Sequence, residues 1–274
     1  DTTLEDGADL ITATAGTSNT RIGVNAGNSI LSGGNYNVVV GDEAGTALTT
    51  GDNNVAIGFE ALTTEDQHGN NVGIGYRALK TQNAGTDAYN VAIGSNAGTA
   101  LTTGQYNTIV GGLAGDALTV GQHNVAIGLN ALTADTKGEK SVAIGYQALL
   151  TQNFTSATDT GNVAIGFEAG KLLTTGTHNT LLGYQAGDAL TTPFGNVALG
   201  DRTLSSETTG QRNTAVGCTA LFSQNGASET LTYNTAFGYQ AGGSITTGIE
   251  NVFIGALAGD ACTDDDHNTF VGYN

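Results

Sequence analysis

Four histidines, His68, His123, His178 and His267, are the first residues to test for chemistry. Imidazole carries protons near neutral pH and is a common metal ligand. His123, His178 and His267 each directly precede an asparagine of a recurrent phrase, and three or more copies of that phrase separate each histidine from the next. Ligands of one zinc ion sit only about 2 Å from it, so no metal site is expected from these residues and they read as solvent-facing loop positions. The run Asp264–Asp265–Asp266 offers the oxygens that calcium takes. It lacks the spacing of a calcium loop and reads as a solvated acidic tip. "GIGYRA" from Gly73 and "GGLAGDA" from Gly111 share only their glycine content with phosphate-binding loops, and both are fragments of the repeat. No Ser-His-Asp order, carboxylate pair or nucleophile elbow stands out, nor does an acidic groove of the kind a polysaccharide-degrading spike needs. The expectation is a non-enzymatic chain without a cofactor.

Composition narrows the class. The 274 residues include 42 Gly, one Pro, no Met and no Trp, with 12% charged residues. Large side chains are too scarce for a thick core. A net charge of −17 with 8 Lys+Arg argues against a nucleic-acid surface, because phosphate contacts need clustered basic groups. No apolar run approaches the roughly 20 residues of a membrane span, so no membrane insertion is expected. The chain opens on Asp1 without a basic-then-apolar leader and reads as a processed product. Cys218 and Cys262 fall in different columns of the repeat and read as free thiols.

The elements that must position these residues are written as a repeat. The phrase Asn-(Val/Thr)-x-apolar-Gly starts at Asn19, Asn37, Asn54, Asn71, Asn90, Asn107, Asn124, Ser141, Asn162, Asn179, Asn196, Asn213, Asn234, Asn251 and Asn268. Ten of the fourteen offsets equal 17 and the others are longer, as in a coiled stack with loop insertions. Alternation of period two within each phrase predicts one short strand per rung. The expected fold class is all-β, a parallel β-solenoid (left-handed β-roll) of about 15 rungs over 19–274, with 1–18 a cap or inter-subunit segment. At about 4.8 Å per rung the rod would be roughly 70 Å long.

A four-rung order overlies the repeat. The residue after the near-invariant Ala runs Gly, Gly, Leu, Leu along the chain, as in Gly98, Gly115, Leu132 and Leu149. The long rungs recur with the same period, and their insertions are predicted to form a row of protruding loops. Those loops supply the candidate receptor residues Gln82, Asn83, Asp87, Gln152, Asn153, Asp159, Gln224, Asn225 and Glu229. Asn153 also opens a formal glycosylation triplet, "NFT".

The second and fourth strand positions, such as Val55 and Ile57, are expected to face the interior, and the third position outward. The third position is nevertheless apolar or glycine in every rung but that of Arg21. An apolar stripe along a rod reads as a partner surface. Val39, Ala56, Ala92, Ile109, Ala126, Ala143, Ala164, Leu181 and Phe253 are therefore the predicted interface of a homotrimer, intertwined or side by side. A wide monomeric solenoid with a second internal layer is the alternative. The asparagine column shares that face and reads as an amide ladder. Aromatics after the strand glycine, such as Phe59 and Tyr76, are expected at an inter-chain seam, with stacking on sugar rings as the alternative.

"NVAIG" at Asn54, "SVAIGYQAL" at Ser141 and "NTAFGYQAG" at Asn234 are similar to the head repeats of trimeric autotransporter adhesins. They also look like repeats in some bacteriophage tail-fibre proteins. The resemblance covers about 19–274 and implies a left-handed parallel β-roll, three copies about one axis, and no enzymatic activity. The 17-residue rung is longer than the adhesin repeat, and no coiled-coil stalk or membrane anchor is present in this sequence. The function expected is an extracellular or virion fibre: a stiff rod presenting loops to a cell-surface glycan or protein receptor. An end-to-end filament subunit is the alternative. Ice binding through "TTG" at Thr49, Thr102, Thr174 and Thr246 is a remote one, since adjacent threonines point to opposite sides.

Overall fold

A computed structural model describes residues 15–226 and 231–274. Fifteen three-residue strands, from Thr20–Ile22 to Thr269–Val271, pair in chain order as one parallel sheet. The register is strict: Val55 faces Val72, Ala56 faces Gly73 and Ile57 faces Ile74. A minor two-stranded sheet joins Gly138–Glu139 to Thr158–Asp159, where a long rung stacks on its predecessor. The described residues contain no helix. The fold is thus the parallel β-solenoid expected, with about fifteen turns of 17-residue spacing. Most of the expected 1–18 cap, residues 1–14, lies outside the described residues, as does Glu229.

Each rung closes because four positions per turn hold positive φ. In the rung of Asn54 they are Asn53 (58°), Gly58 (129°), Glu60 (53°) and Leu62 (50°). The second is open to glycine alone. A β-carbon on Gly58 would lie 2.4 Å from the carbonyl oxygen of Gly75, the same residue one rung on. Backbone hydrogen bonds between rungs continue past the strands, as in Arg77 N–H to the Phe59 carbonyl at 2.9 Å and Leu62 N–H to the Ala78 carbonyl at 3.0 Å. The stack is therefore hydrogen-bonded along its turns as well as its sheet.

The expected direction of the faces is reversed. The third strand position points into the solenoid: Val39, Ala56, Ala92, Ile109, Ala126, Ala143, Ala164, Leu181 and Phe253 are all fully buried within one chain. They cannot meet a partner, and the predicted interface is corrected to a core column. The interior of a 17-residue coil is narrow, and an Ala column leaves room for the leucines arriving from the opposite wall. Leu48, Leu62, Leu79 and Leu101 are completely buried there. Burying one such side chain contributes about 1.5–3 kcal/mol relative to leaving it exposed. Leu62 and Gly98 occupy the same place in their rungs with nearly the same backbone, φ 50° and 58°. In a Gly rung the leucine three residues later, such as Leu101, fills the core instead.

The asparagines share that inward face. Asn37 Nδ2 donates to the Gly51 carbonyl at 2.8 Å, and its Oδ1 accepts the Asn54 backbone N–H at 2.8 Å. This contact recurs along the column, so the amide ladder forms as expected but inside the coil. A polar column inside a thin core is tolerated because its amide groups, Asn213 Nδ2 apart, are hydrogen-bonded to nearby backbone or side-chain groups.

Candidate functional site

With the third position inside, the second and fourth positions form the outer face of the sheet. Two columns of fifteen side chains run its length, and every one is Val, Thr, Ile, Leu or Phe. β-Branched residues suit such a pleated surface. Ile93 is 38% exposed, Leu182 42% and Phe237 56%. The face carries no charge, although the chain carries 33 charged residues, 8 basic plus 25 acidic.

Aromatic rings flank it. Phe59 stacks on Tyr76 with centroids 5.7 Å apart, and Tyr146, Phe167 and Tyr184 form a three-ring ladder at 5.0 and 5.2 Å. A second ladder runs up another corner through Tyr89, Tyr106 and His123. In each ladder only the middle ring, Phe167 or Tyr106, stacks on both sides, and every terminal ring has a single stacked neighbour.

The loop rows are divided by the structure. Asp87, Asn153, Asp159 and Asn225 are exposed and Asn83 is half-buried. Gln82, Gln152 and Gln224 are fully buried, which corrects their placement among the receptor residues. Each turns inward and joins the asparagine column: Asn90, Asn162 and Asn234 Nδ2 donate to Gln82, Gln152 and Gln224 Oε1 at 3.1, 2.9 and 2.7 Å. Ser141, which replaces an asparagine, exchanges a hydroxyl hydrogen bond with Thr160 at 2.6 Å. The threonines of the ice-binding alternative are engaged as well, Thr49 and Thr102 Oγ1 donating to the carbonyls of Asp66 and Thr119 at 2.8 and 3.0 Å.

Among the histidines, His68 differs from the loop position expected. It lies three residues after Glu65, which is fully buried, and its Nδ1 stands 3.7 Å from Glu65 Oε1. Burial pushes the Glu65 carboxyl up to about 7, against the pull of the His68 backbone N–H. The cluster joins one histidine to two carboxylates, Glu65 and Asp66, rather than to another histidine. The signal was the column: most rungs carry glycine three residues before the asparagine, and this one carries His68. Asp264, Asp265 and Asp266 are exposed, as expected of a solvated tip. Cys218 and Cys262 are free thiols. No helix among the described residues is long and apolar enough to cross a membrane.

Comparison with protein-family models, curated proteins and solved structures finds no match to this chain.

Proposed function

We propose that the protein is a non-enzymatic extracellular or virion fibre element, a stiff rod that packs against sister copies through the outer sheet face and presents its loop rows to a receptor. The observation that carries this reading is the uncharged double column of Val/Thr and Ile/Leu/Val/Phe along fifteen strands. A strip roughly 70 Å long and 10 Å wide offers about 700 Å² per copy, close to the ~800 Å² per partner of a standard stable interface. Acidic residues elsewhere would repel stray contacts and leave this face as the path of association. Three copies about one axis is the arrangement that the likeness to adhesin head repeats implies. Asp87, Asn153, Asp159 and Asn225 are the exposed candidates for contact with a glycan or protein.

Light scattering on the purified chain tests the assembly. The expected mass is three times the 27.5 kDa of one chain. Ile57→Lys, Ile127→Lys and Ile165→Lys together place charge on the face without entering the core, and are expected to release monomers that keep the wild-type circular dichroism. A wild-type chain that stays monomeric at high concentration rejects the reading.

A further inference from the structure

The acid column holds three fully buried carboxylates, Glu65, Asp135 and Glu207, each six residues before the first residue of its phrase. Two are fully engaged. Asp135 Oδ1 accepts the backbone N–H of Gly138 at 2.9 Å, and Oδ2 accepts Gln152 Nε2 at 2.6 Å. Glu207 Oε1 accepts the backbone N–H groups of Thr209 and Gly210 at 3.0 and 2.6 Å, and Oε2 accepts that of Gly226 at 3.1 Å. In both rungs the carboxylate sits where a side chain on the following glycine would go. A β-carbon on Gly138 would lie 2.1 Å from Asp135 Oδ2, and one on Gly210 2.3 Å from Glu207 Oε2.

The first rung departs from this arrangement. His68 stands where its sisters have Gly138 and Gly210, and Glu65 is left incompletely bonded. Its Oε1 accepts the His68 backbone N–H at 3.2 Å, while Oε2, buried, has no hydrogen-bond partner. His68 Nδ1 is also buried and unpartnered, although the ring as a whole is 29% exposed. The half-buried Asp66 adds a second carboxylate. One ligand atom from each of Glu65, Asp66 and His68 lies within 4.8 Å of the other two.

We propose that Glu65, Asp66 and His68 form a binding site for a zinc-class divalent cation, entered from the solvent side past His68 and Asp66. One imidazole and two carboxylates, with water in the remaining position, is a donor set that zinc takes. Calcium fits less well, because its ligands are oxygens. Ligand atoms on one tetrahedral zinc lie roughly 3.3 Å apart, so side-chain adjustments of about 1 Å close the cluster around the ion. A simple Glu65–His68 ion pair does not account for the arrangement. The 3.7 Å separation is too long for a hydrogen bond, and Oε2 stays unpaired. A cation engages the free carboxylate oxygen and the free ring nitrogen together.

The test is calorimetric titration of the chelator-treated full chain with zinc chloride, with cobalt(II) absorption as a probe of the coordinating atoms. One zinc per chain is expected, with a cobalt spectrum showing nitrogen and oxygen ligands. His68→Gly restores the residue that the sister rungs carry and so keeps the fold. It and Asp66→Asn are expected to weaken zinc binding by at least about tenfold. The combined His123→Ala, His178→Ala and His267→Ala variant is expected to bind as the wild type does. Zinc bound equally well by His68→Gly would overturn the site, and so would a wild-type chain that binds none. The assay reads one chain whatever its assembly, so its outcome is independent of the oligomeric proposal.

Discussion

Ile109 fills the space that Gly98 leaves empty: a β-carbon on Gly98 would lie 3.1 Å from Ile109 Cδ1. Gly115, one rung on, faces the same side chain at 3.3 Å. The relationship recurs, with Leu181 between Gly170 and Gly187 and Phe253 between Gly242 and Gly259. A large third-position residue thus compensates for two successive glycines, and the four-rung order is a rule of constant core volume. Gly98→Ala is expected to cost roughly 1–3 kcal/mol, from overpacking and from a side chain at φ 58°. Ile109→Val removes the opposing Cδ1 at a cost of about 0.5–1.5 kcal/mol. Because the two share one space, the double variant should lose less than the sum, by at least about 0.5 kcal/mol in urea unfolding.

Gly58 meets a harder limit than Gly98. Its β-carbon would approach backbone, the Gly75 carbonyl oxygen at 2.4 Å, and its φ of 129° is closed to L side chains. No rotamer change relieves that contact. Gly58→Ala should therefore fall at the upper end of single-substitution costs, roughly 3–5 kcal/mol. Amide hydrogen exchange is expected to show the loss concentrated in the rungs of Asn54 and Asn71, because each rung touches only its neighbours.

Much of this architecture was legible in the sequence, and one sign was not. Period 17, fifteen strands, the long rungs and the amide ladder all follow from spacing, because a stack repeats every constraint at a fixed interval. The direction of the faces did not follow. Val55 and Ile57 read as core and Ala56 as surface if hydrophobicity alone decides what is inside. In a coil this narrow, size decides: Ala56 and Asn54 fit opposite Leu62, and the bulkier Val55 and Ile57 cannot. The clue was available, since Val39, Ile109, Leu181 and Phe253 grow large in the rungs that carry Gly45, Gly115, Gly187 and Gly259. Residues that trade volume share a space. The inward turn of Gln82, Gln152 and Gln224 had no such signal, because it depends on side-chain contacts with Asn90, Asn162 and Asn234 eight to ten residues further on.

The asparagine ladder should be the most sensitive polar feature of the rod. Asn107 Nδ2 donates to the Gly121 carbonyl at 2.9 Å, and Oδ1 accepts the Asn124 backbone N–H at 3.0 Å. Asn107→Ala leaves both backbone groups buried and unpaired, at about 1–3 kcal/mol each. Ser141→Ala should cost less. The Asn162 backbone N–H below it faces Thr160 Oγ1 rather than Ser141, so the ladder is already broken there. Chemical denaturation of the two variants side by side checks the order.

Asp116 and Asp188 give stability a pH dependence that runs opposite to that of a paired carboxylate. Burial raises both carboxyls above their ordinary value. One oxygen of each, Oδ1, is buried without a partner. A group whose folded-state value is raised binds its proton more tightly when folded. Its contribution is fully present below the ordinary carboxyl value and is lost as the pH rises through the raised one. The wild type should therefore lose stability, relative to Asp116→Asn/Asp188→Asn, as the pH climbs from about 3.5 towards 7. The variant cannot ionise at these positions, so it should be the more stable chain at neutral pH, and the difference in Tm should shrink on acidification. Subtracting one melting curve from the other at each pH isolates these two groups from the other acids. A difference that stays constant across that range would mean that neither carboxyl is raised by its burial.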